Sequence, residues 1–139
     1  MVEPRYLVDT SVLARAGISE VANRLERLAL AGKLWTCRII DLELAYATRS
    51  RAVGELIEER FAFPEAVITP AVMNRALIVA GLLAKAGKHR GAKPVGLVIA
   101  AAAEARGLTV LHYDADYDRI ASVTNQPTEW IARSGALSH

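Results

Sequence analysis

Cysteine is almost absent from this sequence. The lone Cys37 has no partner for an internal disulfide and belongs to no Cys-x-x-Cys zinc or redox pattern, so both classes fall away and the thiol reads as a small buried hydrophobe. Long apolar runs are missing too. The longest, Val95 to Ala103, is about half of the roughly 20 residues that a bilayer crossing takes, which argues against a membrane span. Met1-Val2-Glu3-Pro4-Arg5 leads into a short apolar run that stops at Asp9, unlike a signal peptide, and a cytoplasmic location is the expectation. No excess of one charge exists either: 17 Lys and Arg against 15 Asp and Glu leave +2, too near neutrality for whole-molecule electrostatics to single out a nucleic-acid binder. What is abundant is apolar side chain, 53% against 23% charged with a mean hydropathy of +0.22. That excludes intrinsic disorder and implies a large internal or partner-covered surface. A chain of 139 residues is expected to be one domain, residues 1–139.

Elements alternate along the chain. Arg5 to Asp9 is a short β-leaning segment, and Asp9-Thr10-Ser11 supplies residue types that start helices. Val21, Leu25 and Leu28 recur at helical spacing between Ser19 and a stop at Gly32. Leu34 to Cys37 predicts a second strand, and Ile39 to Ala47 and Ala52 to Phe61 predict helices. Pro64 to Ile68 predicts a third strand, followed by a helix announced by Thr69-Pro70 and running to about Ala86. Pro94 opens a helix apolar on nearly every side that ends at Gly107. Leu108 to His112 predicts a fourth strand, Arg119 to Ala121 a short helix, Ser122 to Thr124 an edge strand, and Trp130-Ile131 an apolar tail. Strands that are continuously apolar and separated by helices argue for a mainly parallel sheet covered on both faces, an α/β/α sandwich.

In open parallel sheets ligands bind beyond the carboxyl ends of the strands, where the loops converge. Asp9 ends the first strand, Asp114 follows the fourth with Asp116 two residues on, and Glu43 sits near the start of the helix after the second. Asp9 also suits a plain helix cap, and Asp114 a turn in an Asp-x-Asp loop. Glu43 stands out, because a carboxylate amid Leu42, Leu44 and Ala45 is seldom buried without a partner. Asp41 and Asp118 read as surface charges, and His112 as a structural strand-end residue. Carboxylates gathered on one rim repel one another unless a cation neutralises them. Hard oxygen ligands suit magnesium or manganese, the usual ions of phosphate chemistry.

Leu7-Val8-Asp9-Thr10-Ser11-Val12-Leu13, the Glu43-Leu44 pair, and the ending from Ile99 through Gly107 to His112-Tyr113-Asp114-Ala115-Asp116-Tyr117-Asp118 together resemble a PIN domain, and more narrowly the VapC toxins of bacterial toxin–antitoxin pairs. The similarity spans nearly the whole chain. It implies a magnesium- or manganese-dependent endoribonuclease acting on structured RNA of the tRNA or rRNA class. It also implies a homodimer inhibited by a small VapB-type antitoxin whose tail crosses the acidic site. On this resemblance Asp9, Glu43, Asp114 and Asp116 are the catalytic and metal-holding acids, with the hydroxyls of Thr10 and Ser11 supporting them.

One departure is serious. Such proteins open the apolar helix with a further aspartate, and here Pro94-Val95-Gly96-Leu97 places Gly96 at that position. An acid in a first helical turn gains from the helix dipole, and glycine does not. An active nuclease impaired at Gly96 is the reading; a pseudo-nuclease that only binds its dimer and antitoxin partners is the alternative. Haloacid-dehalogenase-like phosphatases need a second acid two residues after the first, where Ser11 stands. The segment from Lys85 to Lys93 carries Lys88, His89, Arg90 and Lys93 without an acid. It reads either as a solvated connection or, from its nearness to Gly96, as an RNA-phosphate contact.

Overall fold

Tyr6–Val8 (β1) is buried along its whole length because it is an interior strand with neighbours on both sides. The computed structural model describes residues 3–137. Its sheet has the order β2-β1-β3-β4, with β2 at Leu34–Trp35, β3 at Thr109–His112 and β4 at Thr128–Trp130, and every pairing is parallel. The register sets Val8 opposite Leu111 and His112 opposite Trp130.

Alternation along the strands divides the core in two. Tyr6, Val8 and Leu111 face α1 (Thr10–Leu13) and α2 (Ser19–Leu30), contributing to one cluster with Val12, Val21, Leu25 and Leu28. Leu7 and Val110 face the other side. There they pack with residues of α3 (Arg38–Ala47), α5 (Pro70–Lys85), α6 (Pro94–Ala105) and α7 (Asp116–Thr124), among them Ile40, Val79, Ile99 and Ile120. The period-two pattern thus produces the three-layer α/β/α sandwich expected from the sequence. Ala100 to Ala103 in α6 are all buried, and these small side chains let α6 approach its neighbours closely. Thr69 caps α5, its Oγ1 accepting from Val72 N at 3.1 Å, with Pro70 in the first helical turn. α4 spans Val53–Phe61.

Four local expectations are corrected. Pro64 to Ile68 forms no strand: only Glu65 bridges to Thr36, since Pro64 has no N–H to extend a ladder. Ser122 to Thr124 is the last turn of α7, which starts at Asp116 and stops at Asn125, whose φ is +62°. The edge strand follows it, in Thr128–Trp130, so Trp130, expected with Ile131 in an apolar tail, is the last residue of that strand.

The fourth correction concerns Asp41, which is buried rather than on the surface. Its Oδ1 accepts from Thr36 Oγ1 at 2.7 Å and from Arg60 Nε at 2.8 Å, and its Oδ2 accepts from Arg38 at 2.6 Å. Arg60, in the last turn of α4, also donates to Thr36 Oγ1 at 2.9 Å. This network ties α3 and α4 to the end of β2. Removing one partner strands a buried charge, so Arg60→Ala is expected to cost about 3–5 kcal/mol in urea unfolding. The half-exposed Arg75–Glu104 pair (2.7 Å) provides the comparison: Arg75→Ala should cost about 1 kcal/mol or less. Equal costs would contradict the assignment of Asp41 to the core.

Candidate active site

β1 and β3 run side by side in the same direction, so Asp9 and the Tyr113–Asp114 turn leave the sheet at the same, carboxyl end of the strands. Asp9 caps α1 and is only 6% exposed. Its Oδ2 accepts from Ser11 N at 3.0 Å and Ser11 Oγ at 2.6 Å, and its Oδ1 accepts from the Tyr117 hydroxyl at 2.7 Å. Ser11 Oγ also accepts from Tyr113 N at 2.8 Å, which joins the β1–α1 turn to the loop after β3.

Glu43 reaches the same end from α3, its Oε1 accepting from Thr10 Oγ1 at 2.6 Å. Two positions on a helix are about 200° apart, which is why Asp41 turns into the α3–α4 network while Glu43 turns to that end of the sheet. Asp114 Oδ1 accepts from Asp116 N at 2.9 Å, and Asp114 N donates to His112 Nδ1 at 3.2 Å. Asp116 stands in the first turn of α7, where a carboxylate is favoured by the helix dipole. Both of its oxygens are engaged: Oδ1 accepts from Arg119 at 2.7 Å and Oδ2 from Lys93 N at 3.1 Å.

Asp9, Thr10, Ser11, Glu43, Asp114 and Asp116 line one cavity of about 180 Å³, together with Lys93, Val95, Gly96, Ile99 and Tyr117. The acids expected at the site therefore line the same cavity as Gly96. A Cβ at Gly96 would lie 3.8 Å from the Tyr117 hydroxyl, an ordinary contact, so the backbone there does not require glycine. Of the basic segment, Lys93 lines this cavity, while His89 and Arg90 line an adjoining one of about 400 Å³ that shares Lys93. Lys88 turns elsewhere, donating to Ser122 Oγ at 2.8 Å.

Tyr117 and the buried role of Asp41 are what residue reading missed. Tyr117 is 1% exposed, and burial, then the negative charge of Asp9, pushes its pKa well above the usual tyrosine value. It is a hydrogen-bond donor at neutral pH. The signal was its place in the Asp116-Tyr117-Asp118 turn, where an aromatic residue at a helix start reads as packing. His112 is buried as expected, its ring centroid 5.0 Å from that of Tyr117 and 4.9 Å from that of Trp130.

An all-oxygen donor set of carboxylates fits a hard divalent ion. Among the described residues, Glu43 Oε2 and Asp114 Oδ2 carry no protein donor. No group of three or more His, Cys, Asp or Glu side chains is drawn together as a ready-made metal cluster among the described residues. Gly96 contributes no side-chain oxygen.

Residues 6–123 match the PIN domain family. The chain is 43% identical over 134 residues to ribonuclease VapC51 of Mycobacterium tuberculosis, which covers 96% of this chain and 97% of that protein. The chain belongs to the VapC ribonucleases of the PIN-domain family. Ribonuclease VapC21 of the same organism is similar at 42% identity over 136 residues, covering 94% of this chain and 96% of that one. Two solved VapBC assemblies share the fold. VapBC2 from Rickettsia felis, bound to a DNA fragment from its promoter, superimposes with a TM-score of 0.71 at 17% identity, over 90% of this chain and 97% of that one. DNA-bound VapBC from Salmonella typhimurium gives 0.71 at 16% identity, over 94% and 100%. In this VapC-family chain no helix among the described residues is long and apolar enough to cross a membrane.

His112 makes stability pH-dependent. Burial lowers its pKa below the usual value near 6.5, against the opposing pull of Asp118, Asp9, Asp114 and Glu129. The unfolded chain therefore takes up this proton first, and the stability present above about pH 6.5 is lost as pH falls toward the folded-state pKa. Melting temperature should fall between pH 7 and 5.5, and this slope should flatten in His112→Phe. An unchanged slope would assign the pH dependence to other groups.

Proposed function

We propose that this chain is the toxin of a toxin–antitoxin pair, a magnesium- or manganese-dependent endoribonuclease that cuts structured RNA of the tRNA or rRNA class, impaired by Gly96. The observation that carries the reading is one cavity lined by Asp9, Glu43, Asp114 and Asp116 in a chain of the VapC family. Asp9, Glu43 and Asp114 would hold the ion, with Asp116 beside them. A divalent ion bound there supplies positive charge against the phosphodiester and makes water a stronger nucleophile at neutral pH. The chain's own residues do the rest. Thr10 and Ser11 aim Glu43 and Asp9 through their hydroxyls. Lys93, whose side chain is 83% exposed, stands at the mouth of the cavity with Arg90 and His89 next to it, placed to bind RNA phosphates on either side of the reacting bond. His112 has no place in proton transfer, since its Nδ1 accepts from Asp114 N and its Nε2 is buried.

Two exposed apolar faces support two partners, a second copy and a VapB-type antitoxin. One is formed by Leu42, Tyr46, Ile57 and Phe61 on α3 and α4, the other by Met73, Leu77 and Ile78 on α5. Surface of this kind is normally covered in a stable assembly. Sedimentation should show a dimer at micromolar concentration and a larger complex with the antitoxin encoded beside it; a strict monomer with no such complex contradicts this part of the reading.

The decisive test restores the acid. Gly96→Asp should cleave total RNA in the presence of manganese about 10²-fold faster than the chain as it stands, the scale of a missing charge stabiliser. Without added metal Gly96→Asp should melt lower, from repulsion among neighbouring carboxylates, and manganese should recover it. Equal cleavage by both proteins removes position 96 from the site, and no cleavage by either favours the pure binding module. Lys93→Ala with Arg90→Ala should weaken RNA binding and flatten its salt dependence, because a surface that neutralises fewer phosphates releases fewer counterions. An unchanged salt slope returns the segment to a solvated connection.

A further inference from the structure

Asp9 is the most constrained acid of the cavity. A carboxylate offers about four lone-pair sites, and three of those on Asp9 are taken: two on Oδ2 by Ser11 N and Ser11 Oγ, one on Oδ1 by the Tyr117 hydroxyl. One lone pair is left, on the oxygen that Tyr117 holds. The phenol is fixed in turn, being 1% exposed and packed against His112 at 5.0 Å between centroids. It also lies 3.8 Å from the point where a Cβ at Gly96 would stand, so it is the side chain that borders both Asp9 and the position lacking an acid.

We infer that Tyr117 is a positioning residue for the cation: by donating to Asp9 Oδ1 it sets which lone pair of Asp9 faces the cavity, and in this chain, with glycine at 96, the fixed orientation of Asp9 is what retains ion affinity. Outer hydrogen-bond partners of ligating groups orient them, and losing one costs about 10- to 100-fold in metal affinity. With one acid fewer in the ligand set, a misaimed Asp9 has no neighbour to replace it. The inference rests on the proposed cation site and adds to it a residue outside the acids.

The test is manganese binding by calorimetry to the full-length chain. Tyr117→Phe removes one oxygen atom and keeps the ring, and should weaken manganese binding about 10-fold or more. Tyr6→Phe is the control, because Tyr6 makes a similar phenol–carboxylate bond to Glu129, at 2.7 Å, from the opposite end of β1. Tyr6→Phe should lower the melting temperature and leave manganese affinity unchanged, which separates positioning from a general loss of structure. Unchanged or tighter binding in Tyr117→Phe overturns the inference, tighter binding meaning that the phenol competes with the ion. Glu43→Gln and Asp114→Asn tell the two readings apart. If they lose affinity while Tyr117→Phe keeps it, the site stands and only the role of Tyr117 fails; if none of the three alters binding, the cation site itself is misplaced. Should Tyr117→Phe not fold, the unaltered chain labelled with fluorotyrosine answers instead. The Tyr117 fluorine resonance, assigned by replacing Tyr6, Tyr46 and Tyr113 in turn with Phe, should shift on saturation with magnesium, and a resonance that stays in place overturns the inference.

Discussion

A buried carboxylate at the end of the first strand is the constraint around which this molecule is arranged. Asp9 is 6% exposed, and an unpaired charge at that depth is costly enough to unfold a marginal domain. Hydrogen bonds from Ser11 and Tyr117 offset that cost, and among the described residues no cationic side chain is used for it. The donors come from distant parts of the chain: Ser11 from α1, Tyr117 from α7, with Tyr113 N closing the link through Ser11 Oγ. Satisfying one aspartate thus docks the loop after β3 and the start of α7 onto the end of β1, and that docking builds the cavity.

The contrast with Asp41 shows how two buried acids on neighbouring elements serve different ends. Asp41 is neutralised by Arg60 and Arg38, so its charge is spent within the α3–α4 network. Asp9, Glu43 and Asp114 face no arginine or lysine within ion-pair distance among the described residues. Their charge is supported by hydroxyls and backbone N–H groups and is left without a counter-charge from a side chain among the described residues. Asp116 stands between the two types. It pairs with Arg119 at 2.7 Å and accepts from Lys93 N, fastening the basic segment to α7 at the cavity rim.

Much of this was legible from residues. The strands β1, β2 and β3 announce themselves as apolar runs, α5 by Thr69-Pro70, and α6 by Pro94 followed by small apolar residues, because local propensity and tertiary packing agree there. The edge of the sheet was harder to read. Ser122-Val123-Thr124 is β-leaning in type, yet tertiary packing continues α7 through it, and the left-handed Asn125 then releases the chain into β4. The rim acids were legible because strand ends in parallel sheets converge. The use of Asp41 was not, because its partner Arg60 lies 19 residues away on another helix, and helical spacing by itself says which acids diverge, not which one is buried. Tyr117 was hidden for a similar reason: its hydroxyl meets Asp9 across 108 residues of chain.

The proposed cation site lies among the carboxylates at the β1 and β3 ends, and its proposed weakness is the glycine at position 96. Anomalous diffraction from crystals grown with manganese, for the chain as it stands and for Gly96→Asp, tests it directly. The account predicts a manganese peak among the oxygens of Asp9, Glu43 and Asp114, stronger in Gly96→Asp than in the unaltered chain. A peak elsewhere on the surface in both proteins, with none in this cavity, would contradict it.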